Sequence, residues 1–162
     1  MELLAELRMM ITRHAGNDVA RAVLPNIVLA SLDEPTLPQS NVPDPIFALV
    51  AQGAKRAVLG DQVFEYVAGQ YLIVGIELPL VTNVVRASKD QPFLGFGMAL
   101  KPFAVASLLL ETGGEGARHA PPGIAVTDAG PELLDAVARL LRLLDQPADL
   151  PVLAPAIERE IL

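Results

Sequence analysis

The sequence predicts a mainly β fold with flanking helices, arranged as a sandwich or a barrel. Composition is the first reason: 52% of the 162 residues are hydrophobic and 19% are charged, which excludes a disordered chain and a highly charged coiled coil. The second reason is that 12 glycines and 14 prolines divide the chain into short segments. The apolar segments between these breakers have the length of strands, at an even spacing that is typical of a sandwich or barrel.

A helix is predicted over residues 1–16. Apolar residues recur there at three- and four-residue spacing, and His14-Ala15-Gly16-Asn17 supplies a stop. The apolar positions are Leu3, Leu4, Leu7, Met10 and Ile11. Strands are then predicted at 27–30, 46–50, 56–59, 63–67, 71–76, 81–86, 94–100 and 124–126.

The strand at 94–100 has one bulky face and one bare face. Alternation places Phe96 and Met98 on the bulky face and Gly95 and Gly97 on the other. The glycines favour close approach of a neighbouring backbone, and space for a ligand is the alternative.

Helices are predicted again in the last third of the chain, first a short one over 103–111, before a Gly/Pro-rich loop at 112–123. Pro131 begins the most regular helix, 131–145, in which a leucine stripe follows the helical period and which Pro147 ends. A last helix is predicted at 154–162, and its apolar ending at Ile161-Leu162 leads us to expect a further domain in the parent protein.

Charge and reactive residues exclude several function classes. The net charge is −7, and lysines and arginines are scattered, so the chain lacks the basic patch of a nucleic-acid binder. The chain has no cysteine, and its histidines, His14 and His119, lack metal-ligand spacing, so we expect no metal and no other cofactor. Glu65 and Glu77 could form an acid pair, but such pairs are common on solvated sheets.

No apolar run reaches the length of a membrane span, which predicts a cytoplasmic protein.

A series of short motifs runs along the chain in a fixed order. The series is VAQGAK at 50–55, LGD at 59–61, YVAGQYL at 66–72, LP at 78–79, RAS at 86–88, QPFL at 91–94 and the helical ending 132–162. It resembles the N-terminal effector domain of one branch of the AraC-type transcriptional regulators, over nearly the whole chain.

The resemblance implies a cupin-like β-barrel of the jelly-roll type that senses a small molecule, forms a homodimer and is not an enzyme. The implied organisation is an N-terminal helix at 1–16, a barrel with a short helix at 25–127, and dimerisation or linker helices at 129–162. DNA would be bound only through a C-terminal helix-turn-helix domain that is absent from this chain. Many cupin enzymes hold a metal through three histidines and a glutamate, a set that is missing from these strands, so a metal-free barrel is expected.

Polar and aromatic residues on the strands are the candidates for ligand binding, although each of them could instead be a turn or core residue. These candidates are Gln52, Lys55, Tyr66, Tyr71, Phe96 and Met98. The candidates for a dimer interface, with packing inside the chain as the alternative, are Leu133, Val137, Leu140, Leu141 and Leu144.

Two other functions compete with that of a sensor whose ligand repositions the terminal helices. One is a small cupin enzyme that acts on a carbonyl or hydroxy acid, with Glu65 or Tyr66 in acid-base work. The other is a stand-alone carrier protein.

Overall fold

The computed structural model describes residues 2–15, 19–24, 26–41, 45–74, 79–100, 124–146, 148, 153, 155 and 157, with the backbone alone at 2, 19–24 and 41. All following statements concern these residues. The predicted helix at 103–111 and the loop at 112–123 lie outside them, as does most of the predicted helix at 154–162.

Two helices flank the strands. Helix α1 spans Glu2–Ala15 and carries Arg13 in its last turn, where positive charge suits the helix dipole. Helix α2 spans Pro131–Arg142 and continues as a 3₁₀ turn over Leu143–Asp145. Proline at its first turn fits the helical backbone without the loss of a hydrogen bond. None of the helices in the described ranges is long and apolar enough to cross a lipid bilayer.

Ten strands form two antiparallel sheets. The strands are β1 (Val19–Leu24), β2 (Ile27–Leu32), β3 (Gln39–Asn41), β4 (Ile46–Gln52), β5 (Ala54–Leu59), β6 (Gln62–Val67), β7 (Gln70–Val74), β8 (Leu80–Arg86), β9 (Phe93–Ala99) and β10 (Ile124–Asp128). The six-stranded sheet has the order β1-β2-β9-β4-β7-β10, and the four-stranded sheet has the order β3-β8-β5-β6. The predicted fold class, mainly β with flanking helices, is confirmed.

The sequence analysis missed β1 and β3. The sequence of β3, QSN, contains no apolar run, whereas that of β1, VARAVL, ends in the same RAVL that predicts the strand at 56–59. Both form by pairing with a neighbour, β1 with β2 and β3 with β8. The first strand therefore begins at Val19, ahead of the predicted barrel boundary at 25.

The central strands of the six-stranded sheet, β4 and β9, are buried on both faces. One face packs against α1 and α2, and we call this apolar layer the helix layer; it includes Leu7, Phe47, Phe96 and Leu140. The other face packs against the four-stranded sheet in what we call the inter-sheet layer. The buried members of the inter-sheet layer are Val50, Ala57, Tyr66, Leu72, Val74, Leu80, Val84, Phe93 and Ile124.

The bare face of β9 points into the inter-sheet layer and is closely packed. A Cβ atom on Gly95 would lie 3.0 Å from the ring of Phe93, and one on Gly97 would lie 3.6 Å from Cδ1 of Ile46. The two glycines therefore make room for Phe93 and Ile46, which is the close-packing alternative of the sequence analysis.

The leucine stripe of α2 is buried inside the chain. Val137, Leu140 and Leu141 are 0–1% exposed and belong to the helix layer, so they are not free to contact a second subunit. Leu133 and Leu144 are partly buried against the same layer. The structure thus gives the intramolecular alternative for the three buried residues, because a stripe this broad is needed to cover the sheet together with α1.

Ion pairs connect the two helices at their surface. Nε and one terminal nitrogen of Arg142 donate to the two carboxylate oxygens of Glu6 at 2.6 and 2.7 Å. This pairing lowers the pKa of Glu6 and raises that of Arg142. Asp145 lies 3.2 Å from a guanidinium nitrogen of Arg13 and 3.3 Å from Nε2 of His14. Helix α1 is therefore held against α2 by charges as well as by the helix layer.

Candidate functional site

A lysine enters the inter-sheet layer beside a tyrosine. Lys55 on β5 is directly opposite Tyr66 on β6 and Val84 on β8. Directly opposed residues of antiparallel strands point to the same face, and Tyr66 and Val84 are 1% and 3% exposed in the inter-sheet layer. The side chain of Lys55 therefore points toward the six-stranded sheet.

The surroundings of this pair are apolar, and this affects both titrating groups. Burial lowers the pKa of Lys55, because the charged ammonium loses hydration. Burial raises the pKa of Tyr66 for the same reason, since its charged form is the phenolate. Within the described part of the chain, neither side chain has a hydrogen bond or an ion pair. A cation and a hydroxyl group thus share one face of the inter-sheet layer without a side-chain partner in the described ranges, and Lys55 keeps part of its exposure to solvent.

An open cavity lies at the edge of the two sheets, and neither Lys55 nor Tyr66 is among its described lining residues. It has a volume of about 440 Å³ and is lined by Gln62, Val63, Phe64 and Ile124, on strands β6 and β10. Phe64 precedes Tyr66 by two residues and therefore lies on the same face of β6. The volume is in the range that small-molecule sites occupy.

Three of the candidates for ligand binding lie in the other layer. Phe96 and Met98 are 1–2% exposed in the helix layer, and Tyr71 packs against the same layer. The ring of Phe47 lies 5.1 Å from that of Tyr71 and 6.1 Å from that of Phe96. The sheet backbone separates these side chains from Lys55, so we do not include them in the site. They are core residues, the alternative that the sequence analysis left open.

Gln52 lies at the end of β4, away from the inter-sheet layer. Its Nε2 donates to the carbonyl oxygen of Pro92 at 2.8 Å, across the β-bulge that follows Val50. The side chain forms part of the wall of a surface groove.

The acid-base pair of the enzyme hypothesis does not meet at one site. Glu65 is exposed on the outer face of β6 and accepts a hydrogen bond from Arg56 at 3.2 Å, whereas Tyr66 points inward. Glu77 and His119 lie outside the described residues. Across the described ranges, no three His, Asp or Glu side chains are grouped as a metal site would require.

Comparison with known proteins identifies one family. The AraC-type transcriptional regulator N-terminus matches residues 23–162. No curated protein matches the chain.

Solved structures resemble the chain at low identity. ToxT from Vibrio cholerae is 8% identical with a TM-score of 0.54, over 72% of this chain and 46% of that one. ToxT from Vibrio cholerae O395 bound to (E)-4-(8-methylnaphthalen-1-yl)but-3-enoic acid is 9% identical with a TM-score of 0.50, over 75% and 46%. A cupin-2 domain protein from Shewanella frigidimarina is 10% identical with a TM-score of 0.40, over 57% and 91%. The chain thus spans less than half the length of the ToxT structures, and the likeness concerns the fold.

Proposed function

The chain belongs to the family of AraC-type transcriptional regulator N-termini, a regulatory domain as its motifs imply, and we propose that it binds a small organic acid between its two sheets. The observation that carries this proposal is the inward-facing ammonium of Lys55 without a partner among the described residues. A charge that loses part of its hydration is stabilised by an opposite charge, which a carboxylate would supply.

The position of Lys55 also defines what the rest of the ligand must be. The neighbouring side chains Ala57, Leu72 and Val74 are apolar and buried, so the remainder of the ligand must be apolar as well. The hydroxyl group of Tyr66 can donate a second hydrogen bond to a carboxylate oxygen. The aromatic organic acid in the ToxT structure has this same combination of one carboxylate and an apolar body.

Binding would act on transcription through the helices that cover the six-stranded sheet. A ligand shifts their position only if it binds two arrangements with unequal affinity. We propose that such a shift repositions DNA-binding domains of the whole regulator in a homodimer in the cytoplasm. We propose a role in binding rather than in catalysis, in keeping with the regulatory family to which the chain belongs.

A pair of lysine variants tests the site. Calorimetric titration of decanoate into the wild-type chain should show one bound ligand per chain, and Lys55→Met should weaken binding at least about tenfold, since a charge-assisted hydrogen bond is lost. Lys89→Met is the matched control, because Lys89 is exposed on the loop between β8 and β9. Binding of 1-decanol, which has no carboxylate, should be similar in all three proteins.

Two results would contradict the proposal. One is decanoate binding that Lys55→Met and Lys89→Met leave equally unchanged. The other is the absence of decanoate binding to the wild-type chain. The homodimer is tested separately by light scattering over a range of protein concentrations, where a mass that stays at 17.2 kDa would contradict it.

A further inference from the structure

A second concave site lies where helix α1 meets the loops at one end of the sheets. This groove has a volume of about 400 Å³. Its walls come from α1, the β4–β5 turn, the β6–β7 turn and the β8–β9 loop. The lining residues are Arg8, Gln52, Gly53, Val67, Ala68, Arg86, Ala87, Ser88 and Gln91.

The charges in the groove have one sign. Among its described lining residues, Arg8 and Arg86 carry a charge and none is an aspartate or a glutamate, in a chain whose net charge is −7. Nε of Arg8 donates to the carbonyl oxygen of Ala51 at 2.8 Å, which fixes the side chain and leaves its terminal nitrogens available. Arg86 is exposed, and its guanidinium group has no ion pair or hydrogen bond to any residue in the described ranges. The groove is therefore a place of positive potential on an acidic protein.

The polar walls of the groove are held in place before any ligand arrives. Nε2 of Gln52 is fixed on the carbonyl oxygen of Pro92, and Oγ of Ser88 accepts a hydrogen bond from the backbone N–H of Gln91 at 3.1 Å. The Ser88 backbone N–H donates to the carbonyl oxygen of Gln91, also at 3.1 Å. The hydroxyl hydrogen of Ser88 remains free to donate, so the groove offers neutral donors beside the two guanidinium groups. Such preorganisation lowers the entropic cost of binding.

The groove is distinct from the site between the sheets. It begins one residue beyond Tyr66 on β6, at Val67, and neither Lys55 nor Tyr66 lines it. We propose that the groove binds a small dianion, a dicarboxylate or a phosphate ester, held between Arg8 and Arg86. A guanidinium group matches both chemistries, because carboxylate and phosphate oxygens accept its paired N–H groups.

Calorimetric titration with two probes at constant ionic strength tests this site. Succinate represents the dicarboxylate and inorganic phosphate represents the phosphate group; the tighter probe identifies the class. Arg86→Gln should weaken binding of that probe at least about tenfold, since a charge-assisted contact is removed. Arg56→Gln is the matched control, because Arg56 is exposed on the same sheet and pairs with Glu65 outside the groove.

The remaining outcomes separate this site from the inter-sheet site. Lys55→Met should leave succinate and phosphate binding unchanged, and Arg86→Gln should leave decanoate binding unchanged. If neither probe binds the wild-type chain, or if Arg56→Gln weakens binding as much as Arg86→Gln does, the groove is not an anion site. If Lys55→Met abolishes binding of the dianion and Arg86→Gln does not, the dianion belongs between the sheets and the inference is wrong.

Discussion

Replacement of Gly53 by alanine should destabilise the chain far more than the same replacement at Gly60. Both glycines occupy turns with positive φ, +88° at Gly53 and +58° at Gly60. They differ in their surroundings. A Cβ atom on Gly53 would lie 2.5 Å from the carbonyl oxygen of Arg86 and 3.2 Å from Cα of Phe93, whereas one on Gly60 would have nothing within 4 Å.

The magnitude follows from two separable costs. An L-residue with left-handed backbone costs about 1–2 kcal/mol, and the smaller entropy of the unfolded alanine chain offsets roughly 0.4–1 kcal/mol of it. Gly60→Ala should therefore lose about 1 kcal/mol. At Gly53 the backbone atoms of Arg86 and Phe93 must also move, and such overpacking costs about 1–3 kcal/mol more. Gly53→Ala should therefore lose about 3 kcal/mol in total.

Urea unfolding followed by circular dichroism measures both variants against the wild type. A difference of about 2 kcal/mol between them corresponds to roughly 4–8 °C in Tm for a chain of this size. If the two variants lose the same free energy of unfolding within about 0.5 kcal/mol, the close approach at Gly53 carries no energetic weight and the reasoning fails. Because Gly53 also lines the groove, Gly53→Ala should weaken binding of the dianion as well.

Three other perturbations have definite signs. Lys55→Met should raise the free energy of unfolding of the unliganded chain at neutral pH, because the lowered pKa of Lys55 means that its charged form destabilises the folded state. This advantage should shrink as the pH approaches 10.5, where the lysine becomes deprotonated in both the folded and the unfolded state. Urea unfolding at a series of pH values measures the effect. Glu6→Gln should cost about 0.5 kcal/mol through its surface pair with Arg142, and the loss relative to wild type should vanish as the pH falls through the lowered pKa of Glu6. Leu140→Ala should lower the free energy of unfolding by about 3 kcal/mol, because Leu140 is 1% exposed. Leu144→Ala should cost about half as much, because Leu144 is only partly buried. Equal losses of free energy in the two variants would contradict this difference in burial.

Periodicity predicted most of the fold because most elements carry their own apolar pattern. Helix α1 and the stretch from Pro131 to Asp145 follow the helical period. The predicted stripe of α1 is buried at four of its five positions, whereas in the second stretch Val137, Leu140 and Leu141 are buried and the remaining leucines of the stripe are only partly buried. Strand β3 lacks such a pattern and depends on its pairing with β8, which no local window contains. Strand β1 carries the apolar segment RAVL and was missed although the same segment predicts β5.

The candidate sites were harder to predict from sequence for a different reason. Arg8 lies on a helix and Arg86 at the end of a strand, positions where an arginine usually faces solvent. They converge only because the loop after β8 returns to the β4–β5 turn, where Gly53 allows the backbone of Arg86 to approach. No pattern in the sequence between residues 8 and 86 predicts that these two arginines line the same groove.

The two apolar layers on either side of the six-stranded sheet explain why Tyr71 was grouped with Lys55 although they lie in different layers. When one face of a strand is solvated, alternation separates core from surface, but here both faces of β4, β7 and β9 are apolar. Alternation then separates one core from another, and the residue type no longer says which core a side chain enters. On the four-stranded sheet the outer face is solvated, and a charged residue is expected there. The pairing of Lys55 with the buried Tyr66 shows that this lysine points to the inner face instead. The register of β5 and β6, rather than the motif itself, identifies that lysine as the candidate ligand partner.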